Sequence, residues 1–127
     1  MDEPVTESLE NKKQHRRFRK RYLLRHGITV FEHPTNIFLG DLLDISDMGM
    51  KIASQEPIAV YRFIKMRLSL PTPVSETEFI DFDSICIWNR QEPVSSGYSN
   101  GFQILNITDR NKILLQAMVK TYRPDSQ

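Results

Sequence analysis

The chain has 127 residues, 39% apolar and 26% charged, which suits one globular domain with a modest core and excludes two independent ones. No apolar stretch approaches the roughly 20 residues that span a bilayer, and the single cysteine, Cys86, excludes an internal disulfide. The formal net charge of +1 hides a division: residues 12 to 25 carry eight Lys and Arg and no acid, leaving nine bases against sixteen acids elsewhere.

Residues 1 to 15 are polar and lack the apolar run of a signal peptide. They are expected to form a flexible segment, with at most a frayed helix from Thr6 or Ser8. A cytoplasmic, reducing setting is expected. The run "RRFRKRYLLR", residues 16 to 25, packs six cationic side chains into ten positions. Such a run could be a solvated tail, an arm for a nucleic acid or a clamp for a small anion. Phe18 within it could anchor on the body of the domain or offer a stacking face.

From about residue 22 the texture is that of strands. "YLLRHGITVF" is extended, "EHPTN" reads as a turn with Pro34 and Asn36 as breakers, and "IFLGDLLDI" resumes the apolar pattern. "SDMG" interrupts it, "MKIAS" follows, and "QEP" reads as a loop. In "RFIKMRLSL", Ile64, Met66, Leu68 and Leu70 share one face and Lys65, Arg67 and Ser69 the other. "PTPVSE" reads as a loop, "FIDFDSICIW" as a strand with Cys86 a small buried hydrophobe, "QEPVSSGYSN" as a long turn and "GFQIL" as a strand. About six short strands with tight connections predict an antiparallel barrel or sandwich. The end is helical: Thr108 is a plausible N-cap, Leu114, Leu115, Met118, Val119 and Tyr122 form an apolar stripe, and Pro124 stops it. That stripe should pack on the barrel.

Little in the chain argues for catalysis. His15, His26 and His33 are scattered, and two of them lie in or beside the basic run, where a metal cation would be repelled. There is no Gly-rich phosphate loop and no nucleophile elbow. Asp41, Asp44 and Asp47 lack a calcium loop. Asp81 and Asp83 alternate along a strand and should face solvent together. The expectation is a protein that is not an enzyme and has no metal or cofactor.

Two stretches remain: Arg-x-x-x-Arg from Arg17 to Arg21, and Asp-x-Ser-x-x-Gly from Asp44 to Gly49. Each alone is weak, and Asp44 with Ser46 could simply build a strand-to-strand turn. In this order, on a six-strand pattern with a terminal helix, the pair resembles the signature of the PilZ domain, the bacterial receptor module for cyclic di-GMP. "LLDISDMGMKI", "RFIKMRLSLP", "ICIWNR" and "NGFQIL" are similar to that family's strands, and the likeness covers roughly residues 14 to 120.

The resemblance implies a mainly β fold. This would be a six-stranded antiparallel PilZ-type β-barrel with a C-terminal α-helix and a flexible basic N-terminal arm. On that basis residues 1–15 are a flexible segment and 16–123 the domain: arm 16–24, barrel about 25–106 and helix about 108–123. The implied ligand is cyclic di-GMP, bound by Arg16, Arg17, Arg21, Asp44, Ser46 and Gly49, with a downstream protein effector and neither membrane insertion nor nucleic acid as partner.

The chemistry is coherent. A guanidinium fork matches guanine O6 and N7 or a phosphate edge and stacks on purines. A carboxylate suits guanine N1–H and N2–H. The Ser46 hydroxyl can bond to ligand or brace the turn, and Gly49 is expected at positive φ or a close backbone approach. Arg17 and Arg21 satisfy the spacing, a shifted register would pair Arg16 with Lys20, and a cationic Arg16 suits two stacked ligands. The alternatives are a nucleic-acid-binding arm, disfavoured by the acidic body and by the expectation of no exposed aromatic cluster on the strands, and a PilZ-like interaction module that binds no nucleotide.

Overall fold

The computed structural model describes residues 22–23, 27–46, 48–93 and 96–122. The expected arm residues Arg16, Arg17 and Arg21 and the segment 1–15 lie outside them. The strands are β1 (Tyr22–Leu23), β2 (Thr29–Glu32), β3 (Ile37–Ile45), β4 (Gly49–Ser54), β5 (Phe63–Val74), β6 (Thr77–Gln91) and β7 (Tyr98–Asn106), and α1 (Asp109–Tyr122) follows.

Strands β2 to β7 close into an antiparallel barrel, running β3, β2, β5, β6, β7, β4 and back to β3. Closure removes the open sheet edges that would otherwise pair with other chains. The short β1 continues the β2 side of β3, with Tyr22 opposite Ile45 and Leu23 opposite Asp44. Tyr22 and Leu23, given to the arm by the resemblance, are strand, in line with the extended texture read from about residue 22.

Alternation decides which side chains fill the barrel. Ile64, Met66, Leu68 and Leu70 of β5 are buried, as are Ile80, Phe82 and Cys86 of β6 and Phe102 and Ile104 of β7. Each such side chain contributes about 1.5–3 kcal/mol by leaving water. Cys86 is a free thiol whose pKa burial pushes up, as expected of a small core residue.

The helix adds its whole predicted stripe to that core: Leu114, Leu115, Met118, Val119 and Tyr122 are all buried. Its start is capped as expected, with Thr108 Oγ1 accepting from Asn111 N at 3.1 Å. Its end is tied to β5, where the Tyr122 hydroxyl donates to Thr72 O and accepts from Thr72 N, both at 2.8 Å.

This tie bears on one departure from expectation. "PTPVSE" is not a loop: β5 runs through to Val74 and only Ser75 and Glu76 turn, at φ 50° and 62°. The β5–β6 register shifts between Ser69 and Val74. Pro71 and Pro73, which have no N–H to give a ladder, sit in that irregular stretch. The neighbouring Thr72 N–H and C=O bond the helix instead, and Val74 returns to the core.

Candidate functional site

The Asp-x-Ser-x-x-Gly stretch forms the corner between β3 and β4. Asp44 ends the outward-facing set of β3, while its neighbour Ile45 is wholly buried in the barrel. Both motif side chains are nevertheless sheltered, Asp44 at 5% and Ser46 at 6% exposure. Burial of a carboxylate is costly unless charge and hydrogen bonds compensate it. Here the Lys51 ammonium stands 3.7 Å from Asp44 Oδ2, on the residue directly opposite across β3–β4.

Ser46 is the brace of the corner. Its backbone N–H donates to Gly49 O at 2.8 Å, its hydroxyl donates to the same oxygen at 3.3 Å, and Gly49 N–H donates back to the hydroxyl at 3.2 Å. A hydroxyl has one proton and two lone pairs. These bonds use the proton and one lone pair, so Ser46 can offer a ligand an acceptor but not a donor while the brace is intact.

Gly49 opens β4, opposite Gln103 of β7. Its expected positive φ is not observed; among the described residues the glycine in that region is Gly27, at φ 93°. Asp44, Ser46 and Gly49 thus come together as expected, through a hydrogen-bonded turn rather than a strained glycine.

The sheet adds neighbours that the sequence analysis missed. Across the outer surface the register reads Leu23, Asp44, Lys51, Gly101, Trp88, on β1, β3, β4, β7 and β6 in turn. Any side chain on residue 101 would collide with the Trp88 indole, since a Cβ there would lie 2.1 Å from its Nε1. Glycine lets the indole cover β7 and lie one position from Lys51. The Arg90 guanidinium stands 5.7 Å from the Trp88 ring centroid, and Arg90 also pairs with Glu92 at 3.6 Å. The Ser99 hydroxyl, donating to Glu92 Oε2, holds that carboxylate below its usual range, and Arg90 adds to the effect. Local sequence could have flagged only the tryptophan; its proximity to Lys51 is a product of barrel closure.

Elsewhere on the outer surface Phe38, Phe63 and Phe79 are exposed, one each on β3, β5 and β6. Phe31 and Phe38 meet edge to face at 6.1 Å, and Arg67 lies 4.7 Å over the Phe79 ring. That surface is nonetheless poor for nucleic acid. Arg67 is committed to Asp81 by bonds of 2.8 and 2.9 Å, and Asp83 follows on the same face. A cleft of about 430 Å³ beside it, lined by His33, Lys65, Asp81, Asp83, Asn106 and Asn111 among others, mixes both signs of charge. Among the described residues no three His, Cys, Asp or Glu side chains gather as a metal site, and no helix is long and apolar enough to cross a membrane.

The sequence pattern of the PilZ domain matches residues 12–121. No curated protein sequence matches the chain. Solved structures share its fold. The PilZ domain of YcgR from Escherichia coli, with c-di-GMP, is 16% identical, with 85% of this chain and 91% of that one covered and a TM-score of 0.60. The MrkH–c-di-GMP complex from K. pneumonia is 19% identical over 79% of this chain and 49% of that one, with a TM-score of 0.64. The Bacillus subtilis inhibitor of motility MotI/DgrA is 14% identical over 81% and 50%, with a TM-score of 0.62. The chain thus spans about half the length of the MrkH and MotI/DgrA chains.

Proposed function

Since the chain belongs to the PilZ domain family, we propose that it is a receptor for cyclic di-GMP, with the nucleotide seated on the β3–β4 corner and gripped by the basic segment upstream of β1. One observation carries this reading: β1 is hydrogen-bonded to the motif itself, Tyr22 opposite Ile45 and Leu23 opposite Asp44. Arg21 is the residue before Tyr22. Arg17, four residues earlier, has about 17 Å of chain in which to reach over the corner from Tyr22. Arg21 adjoins in sequence the strand that pairs with the motif, which supports the pair Arg17 and Arg21 over Arg16 and Lys20.

The roles follow from the chemistry. Arg17 and Arg21 supply forked donors for guanine edges and phosphates. Asp44 accepts guanine N1–H and N2–H, and Ser46 accepts through its remaining lone pair. Lys51 adds a cation for a phosphate, and Trp88 offers an apolar flank. Arg16 accommodates the added charge of a second, stacked ligand. Two structural neighbours are solved with c-di-GMP, which supports the ligand class. The signal is relayed by population shift: ligand supplies the counter-charge, the basic arm orders across the corner, and the surface shown to a protein effector changes.

Calorimetric titration of cyclic di-GMP into the wild type and Arg17→Ala/Arg21→Ala tests the site. Loss of two desolvated arginines should weaken binding by about 2–5 kcal/mol or more. Equal affinity in the two proteins removes the assignment. The same titration reads stoichiometry, and one ligand per chain would remove the role given to Arg16.

A further inference from the structure

We propose that the outer face of the β5–β6 ribbon is a two-fold contact surface for a second copy of this chain. The ribbon carries ordered cross-strand rows: Phe63 opposite Ile85, Lys65 opposite Asp83, Arg67 opposite Asp81. At the apolar end of these rows stand Tyr61 at 76% exposure, Phe63 at 51% and Ile87 at 43%. Isolated exposed apolar residues are ordinary, but three at one end of a ribbon, Phe63 and Ile87 on its strands and Tyr61 in the turn that leads into β5, mark a contact site.

Tyr61 adds a second observation. It holds a φ of 73°, a region that bulky side chains avoid, and its N–H is tied to Cys86 O at 2.6 Å. The backbone keeps an aromatic ring in water by an unfavourable conformation. Aromatic anchors of this kind dominate protein interfaces.

The charges identify the occupant. In each charged row β5 contributes the cation and β6 the anion. A two-fold axis running along the ribbon, between its strands, lays β5 of one copy on β6 of the other without shifting the rows. Lys65 then faces the other copy's anion in its own row and Phe63 falls on apolar Ile85, while Arg67 stays paired with its own Asp81. The surface is complementary to itself, as an isologous contact requires. The perpendicular axis through the Lys65 row fails, because it sets lysine on lysine and aspartate on aspartate. An unrelated partner would need no such symmetry in the rows.

Light scattering and sedimentation equilibrium on the nucleotide-free full chain test this. Wild type should dimerise with rising concentration. Lys65→Glu alone and Asp83→Lys alone should each be monomeric with unchanged circular dichroism. Mixed one to one, the two variants should restore a dimer, since each then supplies the charge the other needs. Phe63→Glu should be monomeric and should not be rescued by mixing. A wild type that stays monomeric throughout overturns the proposal, as does a dimer that survives both charge reversals or a mixture that stays monomeric. None of these substitutions touches the β3–β4 corner or Trp88, so all these variants should still bind cyclic di-GMP; their loss of binding would be a separate failure.

Discussion

At the helix end of the barrel and at the β3–β4 corner, polar groups serve different purposes. At the helix end they fasten one element to another: the Tyr122 hydroxyl closes on both polar atoms of Thr72, Thr108 caps α1, and the Asn111 amide donates to Asp81 O at 2.9 Å. Around them lie Leu114, Leu115 and Met118, and the region reads as mechanical closure. At the corner, a carboxylate and a hydroxyl are sheltered on the outer side of a sheet, where solvent-facing residues usually stand. Beside them are a lysine, a tryptophan and the attachment point of a basic segment. The lesson is that burial of a polar group gains meaning from its neighbours. Among apolar side chains it fastens the fold; at the β3–β4 corner it leaves a carboxylate and a hydroxyl where the proposed nucleotide site needs them.

Mutations should separate the two regions. The largest effect belongs to the helix end: Met118→Ala should lower stability by about 2–5 kcal/mol in chemical denaturation, because it opens a cavity in the core. Affinity for cyclic di-GMP, measured where the variant is folded, should be unchanged. At the corner the pattern should invert. Asp44→Asn keeps the shape and removes the charge, so calorimetry should show nucleotide binding weaker by about 1.5–3 kcal/mol, the worth of charged hydrogen bonds, with little change in melting temperature. A variant that lost stability and kept affinity would mark Asp44 as a turn residue only.

The smallest effect concerns the Asp81 side chain, on the outer face of β6. Asp81 hydrogen-bonds to Arg67, and that bond holds its pKa below the ordinary value. A depressed carboxylate pKa contributes stability above the unfolded-state value, near pH 4, and loses it as pH falls through the folded value. The pair is still partly open to solvent, which screens it, so the gain is about 0.2–1 kcal/mol. Urea denaturation should show Asp81→Asn less stable than wild type at pH 7, with the difference vanishing below pH 4. A gap that persisted in acid would mean that something other than the ion pair is at work.

Much of the fold was legible in the sequence, because alternation and helical spacing are local. Ile64, Met66, Leu68 and Leu70 read correctly as one inward face, and the helix stripe and its Thr108 cap were found residue by residue. The motif positions Asp44, Ser46 and Gly49 were also legible by spacing. What escaped was non-local. Nothing near Lys51 or Trp88 announces that three barrel pairings bring them into one row with Asp44. The prolines of "PTPV" argued for a loop, but the helix supplied the hydrogen bonds that a ladder would have given Thr72. Gly49 looked like a turn glycine, yet Ser46 closes the turn with its own hydroxyl. The outward aromatics were missed because alternation places a phenylalanine on a face without saying whether another element covers it.

The central claim is the seat of the nucleotide, and amide NMR mapping tests it most directly. Titrated with cyclic di-GMP, the protein should show its large shifts at Asp44, Ser46, Gly49, Lys51 and Gly101 and at the Trp88 indole N–H, with the β5–β6 face at Phe63 and Lys65 unmoved. Shifts confined to the cleft between His33 and Asn111, or no shifts at saturating nucleotide, would contradict the account.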